Sequence, residues 1–179
     1  MKQRICILIF VLLTFQGIAQ DTPIAGPIIN SYGKVFNVDT PDFKTDVTSM
    51  MKVVFDVGRT FENNESTNPL IETAARFLNL HAQNGVKAEH MNVALVIHGS
   101  ASQDILTDAA YQKKFGVDNP NTALIKSLSN AGVQVILCGQ TAAYRNISKS
   151  DVLPEVQFAL SAMTALIQLQ NNNYRLINF

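Results

Sequence analysis

Three short segments of this 179-residue chain join a chemically useful side chain to a glycine: Asp56-Val57-Gly58, His98-Gly99-Ser100 and Cys138-Gly139-Gln140. A cysteine attacks as its thiolate, a histidine takes or gives a proton near neutral pH, and an aspartate accepts hydrogen bonds. Cys138 stands directly before a helix-forming stretch, where unpaired N–H groups and the positive end of the helix dipole favour a thiolate. Gly139 has no side chain to shield the sulfur and allows a sharp turn, while Gln140 and Thr141 could bind a ligand oxygen or cap the helix. The candidate catalytic residues are therefore Cys138 and His98, with Asp56, Gly99, Ser100, Gly139, Gln140 and Thr141 as candidate ligand contacts. Each has a plainer reading: a buried cysteine behaving as a small hydrophobe, a histidine satisfied by backbone, a carboxylate paired to backbone.

Chemistry at these positions requires elements that bring all three segments together. Lys52 to Val57 is a β-branched apolar run closed by Gly58, as expected of a strand buried on both faces of a parallel sheet. Asn68-Pro69 supplies a cap and a first-turn proline, and Leu70, Ile71, Ala74, Ala75, Phe77 and Leu78 recur at helical spacing until Gly85. Met91 to Ile97 reads as a second strand. Residues 101–118 form a longer polar connection with a short helix around Gln103 to Ala110, long enough to act as a lid. Asn119-Pro120 repeats the cap-plus-proline signal and opens a helix through Ala131. Val133 to Leu137 is a third strand, Gln140 to Arg145 a short helix, and Val156, Phe158 and Leu160 alternate as a fourth strand. Met163, Leu166 and Leu169 mark a last helix, and Tyr174 to Asn178 a fifth strand. The sum is (βα)4β, a three-layer α/β/α domain around a mainly parallel five-stranded sheet, whose sites form at the carboxyl ends of its strands.

Two regions precede that domain. Lys2 and Arg4 lead an apolar run from Ile5 to Phe15, and Gly17-Ile18-Ala19 offers small residues for cleavage, so residues 1–19 read as a secretory signal peptide and the protein as secreted or periplasmic. Residues 20–50 carry Pro23, Pro27, Pro41, Gly26 and Gly33 and read as an irregular N-terminal arm with an extended piece near Lys34 to Val38. Residues 51–179 make the α/β domain.

Composition narrows the choice of function. The 14 basic residues balance the 14 acidic ones, only 16% of the chain is charged, and 47% is hydrophobic, which fits a well-filled core and not a nucleic-acid partner. The apolar run is too short to span a bilayer, so no membrane anchor is expected once the signal is removed. Cleavage would also remove Cys6 and leave Cys138 as the sole thiol. The chain holds no Gly-x-Ser-x-Gly elbow, dinucleotide fingerprint or phosphate loop, and His81, His90 and His98 lack metal-ligand spacing; no metal or cofactor is expected.

The run Val135-Ile136-Leu137-Cys138-Gly139-Gln140-Thr141-Ala142-Ala143-Tyr144-Arg145 resembles the cysteine segment of the DsrE/DsrF-like family. The strand Val53 to Val57, the His98-Gly99 strand end, Asn119-Pro120-Asn121 and Leu160 to Leu166 extend that resemblance over residues 51–179. It implies a three-layer fold, a small homo-oligomer and, as in the sulfur-relay members, a persulfide on Cys138. Two functions follow. One is a secreted sulfur carrier or persulfide-forming sulfurtransferase acting on a small sulfur-containing ligand. The other is a non-enzymatic oligomeric module that binds some other small molecule, with Cys138 as structural lining.

Overall fold

The computed structural model describes residues 22–178, so the signal-peptide reading of residues 1–19 lies outside the described residues. Five strands, β1 (Met51–Val57), β2 (Met91–Ile97), β3 (Gln134–Cys138), β4 (Val156–Ala159) and β5 (Arg175–Ile177), form one sheet in the order β4-β3-β2-β1-β5. Every pairing is parallel. The helices are α1 (Pro69–Gln83), α2 (Asp108–Phe115), α3 (Thr122–Asn130), α4 (Gly139–Tyr144) and α5 (Ala162–Asn171).

The strand order determines where the layers go. From β1 to β4 the chain steps steadily in one direction, and right-handed crossovers taken in one direction lay their helices on one face. Val53, Phe55, Val57, Leu95, Ile97, Val135 and Leu137 accordingly pack in one core with Ile71, Ala74 and Leu78 of α1 and Leu124, Ile125 and Leu128 of α3. From β4 the chain returns across the whole sheet to β5, so α5 crosses the opposite face. There Ala165 and Leu169 of α5, with Tyr174 beyond its end, bury Val54, Ala94, Val96 and Ile136. Among the described residues a single helix covers this second face, and apolar side chains on it and just before it stay in solvent: Leu160 is 73% exposed, Met163 72% and Ile167 58%.

Asn68 caps α1, its side chain accepting from the Leu70 N–H at 2.9 Å, with Pro69 in the first turn. The second asparagine–proline pair behaves differently. Asn119 accepts from the Asn121 N–H at 2.9 Å in a turn that contains Pro120, and α3 begins only at Thr122. The first part of the segment expected to act as a lid belongs to the core. The segment's helix is α2, later than Gln103–Ala110, and a 3-10 turn over Gly99–Ile105 precedes it. Ala101, Ser102, Asp104, Ile105, Leu106 and Tyr111 are all buried. Asp104 anchors this turn by accepting from the Thr60 hydroxyl at 2.8 Å and the Asn68 amide at 2.7 Å.

The arm is irregular, with one antiparallel bridge from Ile24 to Val35, of which only Val35 falls in the stretch expected to be extended. Its attachment runs through Asn79, a wholly buried polar residue of α1. The Asn79 side chain accepts from the Ile28 and Ile29 N–H groups and donates to the carbonyls of Ile29, Tyr32 and Gly33. Gly33, at φ +68°, lies so close to α1 that a Cβ there would fall 2.4 Å from the Ala75 carbonyl carbon.

Candidate functional site

Cys138 is both the last residue of β3 and the N-cap of α4. Alternation along the strand gives it the face of Ile136, toward α5. The residue is only 6% exposed. Burial pushes the thiol pKa up, but hydrogen bonds push it down further: the Thr141 hydroxyl and the N–H groups of Thr141, Ala162 and Gln140 all serve the sulfur. The net result is a thiol below the ordinary range, because donors that favour the thiolate outweigh desolvation. The Thr141 N–H stands 3.4 Å from Sγ, and the Thr141 hydroxyl in turn accepts from the Gly99 N–H at 3.3 Å. The turn after β2 is thereby linked to the thiol after β3 through one hydroxyl.

Gly139 is required by close approach. Its φ is not left-handed, but a Cβ would meet the Ala159 carbonyl oxygen at 2.5 Å and that of Leu160 at 3.1 Å. The end of β4 thus closes over the start of α4 and brings the first turn of α5, with the Ala162 N–H, onto the sulfur. The Gln140 side chain is exposed; its backbone, not its amide, serves the site.

His98 follows Ile97, whose register partner is Leu137, so its backbone is one step from facing Cys138. Its side chain goes the other way. The imidazole lies over Gly58, where a Cβ would stand 2.7 Å from Cε1, and Nε2 is 3.0 Å from Asp56 Oδ1. That contact has ion-pair distance but not hydrogen-bond alignment: Oδ1 is enclosed and has no hydrogen-bond donor. No hydrogen bond joins His98 to Cys138 among the described residues, so the pairing of these two as base and nucleophile is not what the structure assembles. Ser100 and Gly99 belong to the loop: the Ser100 hydroxyl accepts from the Thr60 N–H at 3.0 Å, and Gly99, at φ +54°, sits against the Gly58 carbonyl.

The carboxyl rim therefore carries two centres side by side. One is Cys138 with Thr141, Gln140 and Ala162; the other is His98 with Asp56, in a recess of about 270 Å³ shared with Gly58, Arg59, Leu70 and Asn178. A larger cavity, about 520 Å³, lies elsewhere, at the amino end of β1 beside β5, with Met50, Lys52, Phe77 and Arg175 on its walls. Sequence reasoning missed Ala162, Arg59 and Asn178. Ala162 and Asn178 come to the rim from segments remote in sequence, with nothing local to signal the meeting, whereas Arg59 directly follows Asp56-Val57-Gly58 and its place beside that segment was the available signal.

A wholly parallel α/β sheet with a helix-capping thiol at its carboxyl rim defines the class of protein. Within that class the chain belongs to the DsrE/DsrF-like family, whose model matches residues 51–179. Several solved structures share the fold. One is the protein of unknown function MTH1491 from Methanobacterium thermoautotrophicum, at 16% identity and TM-score 0.55, covering 72% of this chain and 99% of that one. Another is the YchN protein from E. coli, at 19% identity and TM-score 0.53, covering 73% of this chain and 100% of that one. No curated protein matches the chain.

Proposed function

We propose that this protein is a secreted or periplasmic sulfur carrier that holds sulfane sulfur as a persulfide on Cys138. The observation that carries the reading is Cys138 at the N-cap of α4 with the Thr141 N–H 3.4 Å from Sγ, an arrangement that favours the thiolate in a family with a sulfur-relay fold. In loading, the Cys138 thiolate attacks the terminal sulfur of a polysulfide; a new S–S bond forms, the donor's S–S bond breaks, and its electron pair leaves with the shortened polysulfide. In unloading, an acceptor thiolate attacks the outer sulfur and Cys138 departs as thiolate. A lowered pKa makes it the better leaving group. No external oxidant is needed in either step.

Secretion is supported by the pattern of residues 1–19, and assembly into a homo-oligomer by the exposed Leu160, Met163 and Ile167 along the α5 face. The second reading, a small-ligand-binding module with a structural cysteine, is favoured by the low exposure of Cys138. Transfer separates the two readings. Protein treated with polysulfide, desalted and mixed with a small thiol should hand one sulfur per thiol site to that acceptor. Release of no sulfur, or the same release from Cys138→Ser, would leave the binding-module reading standing.

A further inference from the structure

Beside Cys138, the recess opens at the carboxyl end of β1, next to the edge strand β5. In open parallel sheets ligands bind outside the carboxyl ends of the strands. Asp56 and Gly58 at the end of β1, and Asn178 just after β5, line this recess.

Its chemistry is two-signed. Asp56 Oδ1 is enclosed beneath the imidazole, yet the side chain keeps 23% exposure and lines the recess, so the exposed part is the other end of the carboxylate. No hydrogen bond to its Oδ2 occurs among the described residues. On the same recess, Arg59 is exposed, stacks its guanidinium over Phe61 at 5.4 Å, and forms no ion pair with a carboxylate among the described residues. His98 and the apolar Leu70 complete the lining. A volume of about 270 Å³ lies just below the usual span of small-molecule pockets and so admits only a small ligand.

We infer that this recess binds a small α-amino acid as its zwitterion, the ammonium on Asp56 and the carboxylate on Arg59. An arginine without a carboxylate partner and a carboxylate whose one charge-bearing neighbour is a histidine line the same small concavity without pairing to each other, and so complement a molecule carrying both charges on one carbon. A simple anion would meet Asp56 as a like charge, and a simple amine would leave Arg59 unanswered. The inference goes beyond the sulfur-carrier reading and does not depend on it, since the site contains no part of the Cys138 centre.

The test is an amide-resolved NMR titration of the wild-type protein with L-serine, which has no thiol and therefore reads binding apart from sulfur chemistry. Saturable shifts are expected at Gly58, Arg59 and His98. Ethanolamine, lacking the carboxylate, and 3-hydroxypropionate, lacking the ammonium, should each bind at least tenfold more weakly. Asp56→Asn should weaken serine and ethanolamine and spare 3-hydroxypropionate; Arg59→Gln should weaken serine and 3-hydroxypropionate and spare ethanolamine. An absence of saturable shifts at these amides, or equal affinity for all three ligands, overturns the inference with the wild-type protein alone, whether or not a variant folds.

Discussion

Replacing Thr141 by valine keeps the side-chain shape and the backbone N–H on Cys138 Sγ but deletes the hydroxyl that links Gly99 to the sulfur. A hydrogen bond to a charged group contributes roughly 1.5–3 kcal/mol, and sulfur is a weak acceptor, so the lower end applies and the thiol pKa should rise by about one unit. At any pH below both titrations the thiolate fraction then falls about tenfold. The remaining thiolate is more basic and more nucleophilic, with a Brønsted slope near 0.4–0.5, which recovers roughly threefold. Exchange with a small aliphatic disulfide should therefore slow by about three- to fourfold at low pH and accelerate by about threefold above both titrations, so that the two pH–rate curves cross. Stopped-flow exchange rates across the alkaline range, with thiolate absorbance as an independent titration, measure both limbs. If the two curves superpose, or the variant is slower at every pH, the hydroxyl does not stabilise the thiolate and the account of Cys138 is wrong.

Gly139→Ala drives a Cβ against the Ala159 and Leu160 carbonyls, which are backbone and cannot swing away, so urea unfolding should show a loss of about 1–3 kcal/mol. Asn79→Ala removes the five hydrogen bonds this side chain makes to the arm and leaves those of Glu72 and Gln83; because the loosened arm can reach water, the loss is bounded at about 2–4 kcal/mol, and limited proteolysis should cut within residues 22–36 before the α/β domain is attacked. Burial raises the pKa of Asp104, and the bonds from Asn68 and Thr60 offset this only in part. Its acid form is therefore favoured in the fold, a contribution fully present below the unfolded carboxyl pKa of 3.8 and lost as pH rises through the folded value. The stability difference between wild type and Asp104→Asn should accordingly shift against wild type as pH rises above that point, read from melting temperatures; a difference independent of pH would refute it.

The strands were legible because β-branched runs such as Val53-Val54-Phe55 and Val93 to Ile97 carry a local signal, and the glycines after them marked the rim. Cys138 at a strand end before a helix was legible for the same reason, and it caps α4 as its position implies. The neighbours of the rim residues were not legible. His98 turns toward β1 because Gly58 leaves room there and Asp56 draws it, a choice set by strand order and by a residue forty positions away. The second asparagine–proline pair misled for a related reason: Asn119 spends its side chain on the carbonyls of Asp104 and Leu106 and on Asn121, so the helix starts later than its motif suggests. The buried 3-10 turn looked like a lid because Ser102 and Asp104 are polar, yet their partners lie inside the fold. Asn79 sits among the apolar positions of α1, and no periodicity announces that it holds a separate segment.

The central claim is that Cys138 accepts and holds a single sulfane sulfur, and intact mass after polysulfide treatment tests it most directly. The wild-type protein should gain the mass of one sulfur atom, lose it on reduction, and load faster as pH rises toward a midpoint below that of an ordinary thiol. Cys138→Ser should gain nothing. A wild-type protein that takes up no sulfur, or a variant that takes up as much, contradicts the claim.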